Sequence, residues 1–279
     1  RGGRIRGLLI LAVLGLVAAA PVAGATGAGE PSGVVRFAVK GDWGDATPAQ
    51  AAVTRRICAE HGRRPFAAVV TTGDNFSQPD GVATRGNFWQ PERCIRRLRI
   101  PYRAAWGNHD IAGTATATVL RSPRRYYAFS AGPARVIVLD ANAPDDPQQL
   151  RFLRREMRPG GRRARIVVFH QPVYAAGFHA PNPRQQALWA PLLRRGRVAL
   201  VLQGHNHAYE RIERDGVTYI TTGGGGAQLY PCIRPTSGLR TCRMAHHFVS
   251  VTVTGRAVGV RAVGARGQTL DRARIEVRR

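Results

Sequence analysis

Lysine is almost missing from this chain. Lys40 is the only one, so 41 of the 42 basic residues are arginine. Acids are also scarce, at 17 in 279 residues, and the formal charge is +25. The four cysteines, Cys58, Cys94, Cys232 and Cys242, form no CxxC pair. That absence excludes a zinc knuckle or a thioredoxin-like redox site. There is no internal repeat, which excludes a solenoid. The longest early apolar run, 8–20, has 13 residues, short of the roughly 20 a membrane-spanning helix needs. The uncharged stretch does continue from Gly7 to Gly29, so an uncleaved anchor stays open beside the export reading below.

What is present is a globular composition. The hydrophobic share is 44%, which excludes a disordered chain. The length suits one large α/β domain with a real core better than two small ones. The arginine excess has two readings. It reflects a GC-rich genome, or it marks a surface that attracts nucleic acid, membranes or phosphorylated substrates. The field exists under either reading, so a preference for anions is expected.

Arg1, Arg4 and Arg6 precede the apolar run, and Pro21 and the small residues Ala23-Gly24-Ala25 follow it. A positive start, an apolar middle and a small-residue cut site are the parts of a secretory signal. We therefore expect a signal peptide over 1–25, a short linker over 26–33 and a single domain over 34–279, secreted or held at the cell surface. Without Arg1, Arg4 and Arg6 the charge is 39 basic against 17 acidic residues, a net +22. With no initiator Met, the true start is expected upstream. An even cysteine count behind an export signal suggests two disulfides. Cys232 and Cys242 close a short loop, and Cys58 with Cys94 remains by elimination, although four cysteines allow three pairings.

Past the linker, apolar β-rich runs alternate with helical stretches. Strands are expected at 34–39, 67–72, 102–106, 126–130, 136–140, 165–169, 198–203, 217–222, 248–254 and 257–263. Helices are expected at 48–61, 147–157 and 184–195, the first with Thr47 as N-cap and Pro48 in its first turn. Five of the strands run straight into polar blocks: Gly41-Asp42, Gly73-Asp74, Gly107-Asn108-His109-Asp110, His170 and Gly204-His205-Asn206-His207. Loops at the carboxyl ends of strands are where α/β folds place their sites. Each block alone means little, since Gly-Asp after a strand is usually a turn. Together they supply carboxylate, amide oxygen and imidazole, the donors that Zn, Fe or Mn accept. Two such ions need a bridging carboxylate and several imidazoles, and Asp42, Asp74, Asn108, His170, His205 and His207 provide them.

The ordered blocks Gly41-Asp42-Trp43-Gly44, Gly73-Asp74-Asn75-Phe76, Gly107-Asn108-His109-Asp110, Val167-Val168-Phe169-His170 and Gly204-His205-Asn206-His207 resemble the signature of the calcineurin-like metallophosphoesterases. The wording is most similar to the purple acid phosphatase branch, as are His207-Ala208-Tyr209-Glu210-Arg211 and the glycine run 223–226. The resemblance implies a four-layer α-β-β-α sandwich of two mixed sheets flanked by helices. It implies a first metal ion on Asp42, Asp74 and His207 and a second on Asp74, Asn108, His170 and His205, with Asp74 bridging. It places His109 over the substrate phosphate, where it would stabilise the phosphoryl oxygens or protonate the leaving alkoxide. His179, nine residues after His170, matches a further histidine of small phosphatases in the branch; its plainer reading is an exposed loop residue. The implied reaction is in-line attack of a metal-bound hydroxide on a phosphate ester.

Two positions depart from the pattern. The purple enzymes place a tyrosine ligand three residues after the bridging Asp, where this chain has Ser77. The wider family often places a histidine two residues after the first Asp, where this chain has Gly44. A protein without the purple colour is therefore expected. The motifs leave three functions open: a phosphomonoesterase of acid-phosphatase type, a phosphodiesterase or nuclease, and a polyanion-binding protein with a vestigial site. Selectivity between the first two lies in the loops 77–93 and 111–126. A phosphate ester is the expected partner, nucleic acid only as substrate, and no stable membrane partner is expected.

Overall fold

A computed structural model describes residues 2–3 and 33–278. The signal peptide and linker expected over 1–33 lie outside the described residues, apart from Gly2, Gly3 and Gly33. Among the described residues no helix is long and apolar enough to cross a membrane.

The chain opens with β1 (Val35–Lys40), α1 (Pro48–Arg63) and β2 (Ala68–Thr71). A π-helical turn (Arg85–Trp89) and the short α2 (Arg93–Arg97) lead to β3 (Tyr102–Ala104). A 3-10 turn (Asp110–Ala112) and α3 (Ala115–Thr118) precede the hairpin β4 (Tyr127–Ala131) and β5 (Ala134–Val138). Then come α4 (Pro147–Glu156), β6 (Ala164–Val168), α5 (Pro183–Arg195) and β7 (Leu200–Gln203). The chain closes in β structure: β8 (Tyr209–Arg214), β9 (Val217–Thr222), β10 (Leu239–Arg243), β11 (His247–Val253), β12 (Ala257–Gly264) and β13 (Thr269–Glu276).

The three long helices begin alike. Thr47, Asp146 and Asn182 each accept a backbone N–H from the first turn, and each is followed by proline. The side-chain oxygen satisfies a donor the helix leaves free, and proline has no donor to lose there.

The strands form two mixed sheets. The first has the order β13-β12-β11-β1-β2-β3 and the second β10-β8-β9-β7-β6-β5-β4. Within them β1, β2 and β3 are parallel, as are β5, β6, β7 and β9. Parallel strands buried on both faces read as unbroken apolar runs, which is why 67–72 and 198–203 were legible. Val39, Val70, Val251, Val168, Leu200 and Leu202 fill the seam between the sheets. A second core lies under α4 and α5, around Leu153, Trp189 and Leu193. A third lies under α1, around Val53, Ile57 and Phe248. Burying such a side chain contributes about 1.5–3 kcal/mol. The result is the expected four layers, α-β-β-α.

Both expected disulfides are present. Cys58 on α1 joins Cys94 on α2, and Cys232 joins Cys242. The single lysine is fully buried. Lys40 Nζ pairs with Glu92 Oε1 at 2.7 Å and lies 3.6 Å from the centre of the Trp43 ring. Glu92 also accepts from Thr54, Gln50 and Tyr102. Burial pulls the Lys40 pKa down while Glu92 opposes it. This network braces Trp43, and with it the loop carrying Asp42. Of the four tryptophans, Trp89 alone is exposed, with the Arg96 guanidinium 4.6 Å over its ring.

Candidate metal centre

The five polar blocks leave parallel strands at one end of both sheets. Asp42, Asp74 and Asn108 follow β1, β2 and β3 of the first sheet; His170 follows β6, and His205 and His207 follow β7 of the second. Every oxygen donor thus comes from one sheet and every imidazole from the other.

The structure gathers all six into one continuous cluster. His207 Nε2 lies 3.4 Å from Asp42 Oδ1. Asp42 accepts the His205 backbone N–H at 2.9 Å. His205 Nδ1 lies 3.3 Å from His170 Nε2, which lies 3.1 Å from both Asp74 Oδ2 and Asn108 Oδ1. Asp74, His170 and His205 each offer a donor atom within 4.8 Å of the others.

The backbone is strained where these side chains leave it. Asp42, Asp74 and His205 have φ of 58°, 48° and 70°. Non-glycine residues there cost about 1–3 kcal/mol each and cluster at functional sites. Close approach accounts for the neighbouring glycines. A Cβ on Gly107 would fall 2.0 Å from Asp74 Oδ1. At Gly44, with φ of 84°, a Cβ would fall 2.3 Å from the Asn75 carbonyl, so no histidine fits at that position. In the run 223–226, Gly225 N donates to the Gly41 carbonyl and ties this turn to the Asp42 loop.

The donor set fits a cation. His170 Nδ1 is bonded to the Thr72 carbonyl at 2.9 Å, and His207 Nδ1 to the Gln228 carbonyl at 2.6 Å. Carbonyl bonds of this kind fix the tautomer and leave the Nε2 lone pair for a ligand. His170 Nε2, Asp74 Oδ2, Asn108 Oδ1 and His205 Nδ1 are then acceptors facing one another. A positive charge has to complete them, as a proton on His170 or as a metal ion. The titration behaviour agrees. Burial lowers the His170 pKa, but Asp74 outweighs it and raises the value; Asp74 is lowered in turn by His170, against its own burial. Burial and the neighbouring His170 and His179 push His205 down to about 3, which keeps its lone pair free.

His109 stands at the rim. Its N–H donates to Asp74 Oδ1 at 2.9 Å, its Nδ1 pairs with Asp80 Oδ1 at 2.8 Å, and its Nε2 lies 3.9 Å from Asp74 Oδ2. Burial lowers its pKa, but the Asp80 bond and the Asp74 charge prevail and raise it. His179 is half-buried, not an exposed loop residue. Its ring lies 4.2 Å from that of His205, and its N–H donates to Asn206 Oδ1. Sequence reasoning missed Asp80 and Tyr230. Tyr230 stacks on His207 with ring centres 4.1 Å apart, and nothing in its sequence context signals that. Asp110 was quoted in its block without a role. It gathers the N–H groups of Asn75, Phe76 and Gly107 and so joins two ligand loops; burial pushes its carboxyl up to about 6.

Behind the site, Glu210 Oε2 accepts the Ala176 N–H at 2.7 Å. Burial raises its carboxyl from 4.5 to about 7, although the N–H groups of Ala176 and Gly177 and the Thr221 hydroxyl pull it down. The folded state thus holds this proton more tightly than the unfolded chain. Its contribution to stability is full below about pH 4.5 and is lost as pH rises through about 7. Glu210→Gln should flatten the pH dependence of unfolding free energy across that window, by up to about 3 kcal/mol. Equal slopes for the two proteins in denaturant titrations at pH 4.5 and 7 would assign the dependence elsewhere.

This fold is that of a metallophosphoesterase. The chain belongs to the calcineurin-like phosphoesterases, whose family model matches residues 35–209. It is 24% identical over 238 residues to purple acid phosphatase 4 of Arabidopsis thaliana, covering 70% of this chain and 69% of that one. Its fold is shared with the purple acid phosphatase PPD1 of yellow lupin, at a TM-score of 0.75 and 18% identity, over 88% of this chain and 54% of the other. It is shared equally with GAP50, the anchor in the inner membrane complex of Plasmodium, at 0.73 and 19% identity, over 88% and 90% of the chains. The chain is a hydrolase of phosphate esters.

Proposed function

We propose that the chain is a secreted phosphomonoesterase of acid-phosphatase type working with two metal ions. The observation that carries this reading is the single cluster of six donors, with Asp74 at its centre. Asp42, Asp74 and His207 would hold the first ion, and Asp74, Asn108, His170 and His205 the second. A pair of cations bound there supplies charge to offset the phosphate dianion and lowers the pKa of a bound water. The chain's own residues do the rest. Asp80 holds His109 Nδ1, which leaves Nε2 as the proton donor toward the cluster. His109 Nε2–H passes its proton to the leaving oxygen. His179 and Tyr230 wall the side occupied by His205 and His207.

Export is supported by the two disulfides, since such bonds persist in oxidising compartments. On this reading 1–25 is the signal peptide and 34–279 the enzyme. The ions are drawn from Fe, Zn and Mn. Ser77 Oγ donates to the Trp43 carbonyl at 3.0 Å and offers no phenolate. Iron-loaded protein should therefore show no tyrosinate-to-iron band in the visible; a strong band lost on chelation would overturn that expectation.

The test of function is hydrolysis of a chromogenic phosphomonoester and of a diester, each with and without chelator. Chelator-sensitive turnover of the monoester supports the proposal. Preference for the diester favours a phosphodiesterase, a reading the net charge of +22 also supports through its attraction for polyanions. Turnover of neither, with steeply salt-dependent DNA binding, favours a binding protein on a vestigial site.

A further inference from the structure

A third carboxylate stands beside the position read as the first metal site, with no task assigned to it. Asp45 lies three residues after Asp42, and its Oδ1 is enclosed without a hydrogen-bond partner. An enclosed acceptor left unpaired costs about 1–3 kcal/mol, and more when it is charged. Such an atom persists where something completes it.

Ordinary explanations do not serve. Asp45 does not cap α1, because Thr47 Oγ1 already accepts the Gln50 N–H. Among the described residues no arginine pairs with it, although arginine is plentiful. The Ser77 hydroxyl lies beside its carboxylate but gives its one proton to the Trp43 carbonyl, and His207, Asp42 and His109 are near enough to act on its charge. The Tyr230 phenol, stacked on His207, is acted on by Asp42, Asp45 and Asp74 together. Asp45 therefore borders the Asp42–His207 side of the cluster. That side has lost both of the extra ligands the resemblance would supply. Ser77 is too short to act as a tyrosine, and Gly44 has no room for any side chain.

We propose that Asp45 is a ligand of the first metal ion and takes the place left by Ser77 and Gly44. The proposal rests on the dinuclear reading above. It makes the first position rich in oxygen, with Asp42, Asp45 and Asp74 around one imidazole, His207. Such a set suits manganese better than a set rich in nitrogen would.

The test is metal retention, read without turnover. Wild type, Asp45→Ala and the near-isosteric Asp45→Asn are loaded with manganese and dialysed against graded chelator. Bound metal is counted, and electron paramagnetic resonance separates coupled pairs from isolated ions. Wild type should hold two ions as a coupled pair. Asp45→Ala should lose one of them at a chelator concentration at least about tenfold lower and show the spectrum of isolated manganese. Asp45→Asn, which keeps one donor oxygen, should fall between the two. Metal-free melting curves that superimpose would show that the fold is intact. Two ions held by Asp45→Ala at wild-type chelator resistance overturn the proposal. Fewer than two ions in wild type overturn the dinuclear reading itself, and this proposal with it.

Discussion

Asp74→Asn should leave the protein unable to hold either metal ion and without measurable phosphomonoesterase turnover. Asparagine keeps the shape of the side chain and can still accept the His109 N–H that now reaches Oδ1. What it loses is the charge. Asp74 lies 3.1 Å from His170 and shares donor-atom range with His205, and it is the one residue assigned to both ions. Changing residues that merely orient a ligand costs about 10–100-fold in affinity, so loss of a bridging carboxylate should exceed that at both positions. Metal content after dialysis and monoester turnover are the two measurements. Two ions per chain in the variant would remove Asp74 from the bridge. One ion lost and one retained would move it to a single position.

His109→Ala should behave differently, keeping both ions and losing about 10²–10⁴-fold in turnover, the usual worth of a positioned acid. The split follows from the geometry. The His109 backbone N–H, which the substitution preserves, makes the contact with Asp74 Oδ1, whereas its ring is held by Asp80 and aims Nε2 at the rim. The leaving group sharpens the test. A nitrophenolate departs without needing a proton, whereas an alkoxide needs one. The deficit should therefore be several-fold larger for an alkyl phosphate than for a nitrophenyl phosphate. Equal deficits would make His109 a stabiliser of phosphoryl charge, and unchanged turnover would deny it any part.

The strands that carry the cluster were legible because they are buried on both faces and end abruptly in glycine and a polar residue. The strands that were missed face solvent or carry charge. Tyr209–Arg214 reads as a charged stretch, yet it forms β8, where Tyr209, Glu210 and Ile212 are buried. Thr269–Glu276 alternates apolar and charged residues along an edge strand, β13, and Leu239–Arg243 is the exposed edge strand β10. The six donors were readable because each lies within four residues of the end of a recognisable strand. Asp80, Tyr230 and Asp45 were not, because loop geometry alone brings them in. Asp80 lies in a loop bridged to Gly113 by a glycine-to-glycine contact, and Tyr230 is drawn in by its N–H to the His207 carbonyl. Neither kind of contact leaves a periodic trace in sequence.

Since oxygen donors ride on one sheet and imidazoles on the other, alignment of the two layers is itself a catalytic parameter. A small slip of one layer over the other would open the Asp42–His207 and Asp74–His170 distances at the same moment. Evolution should therefore tolerate far less change among the valines packed between the sheets than among the residues that only seat the outer helices.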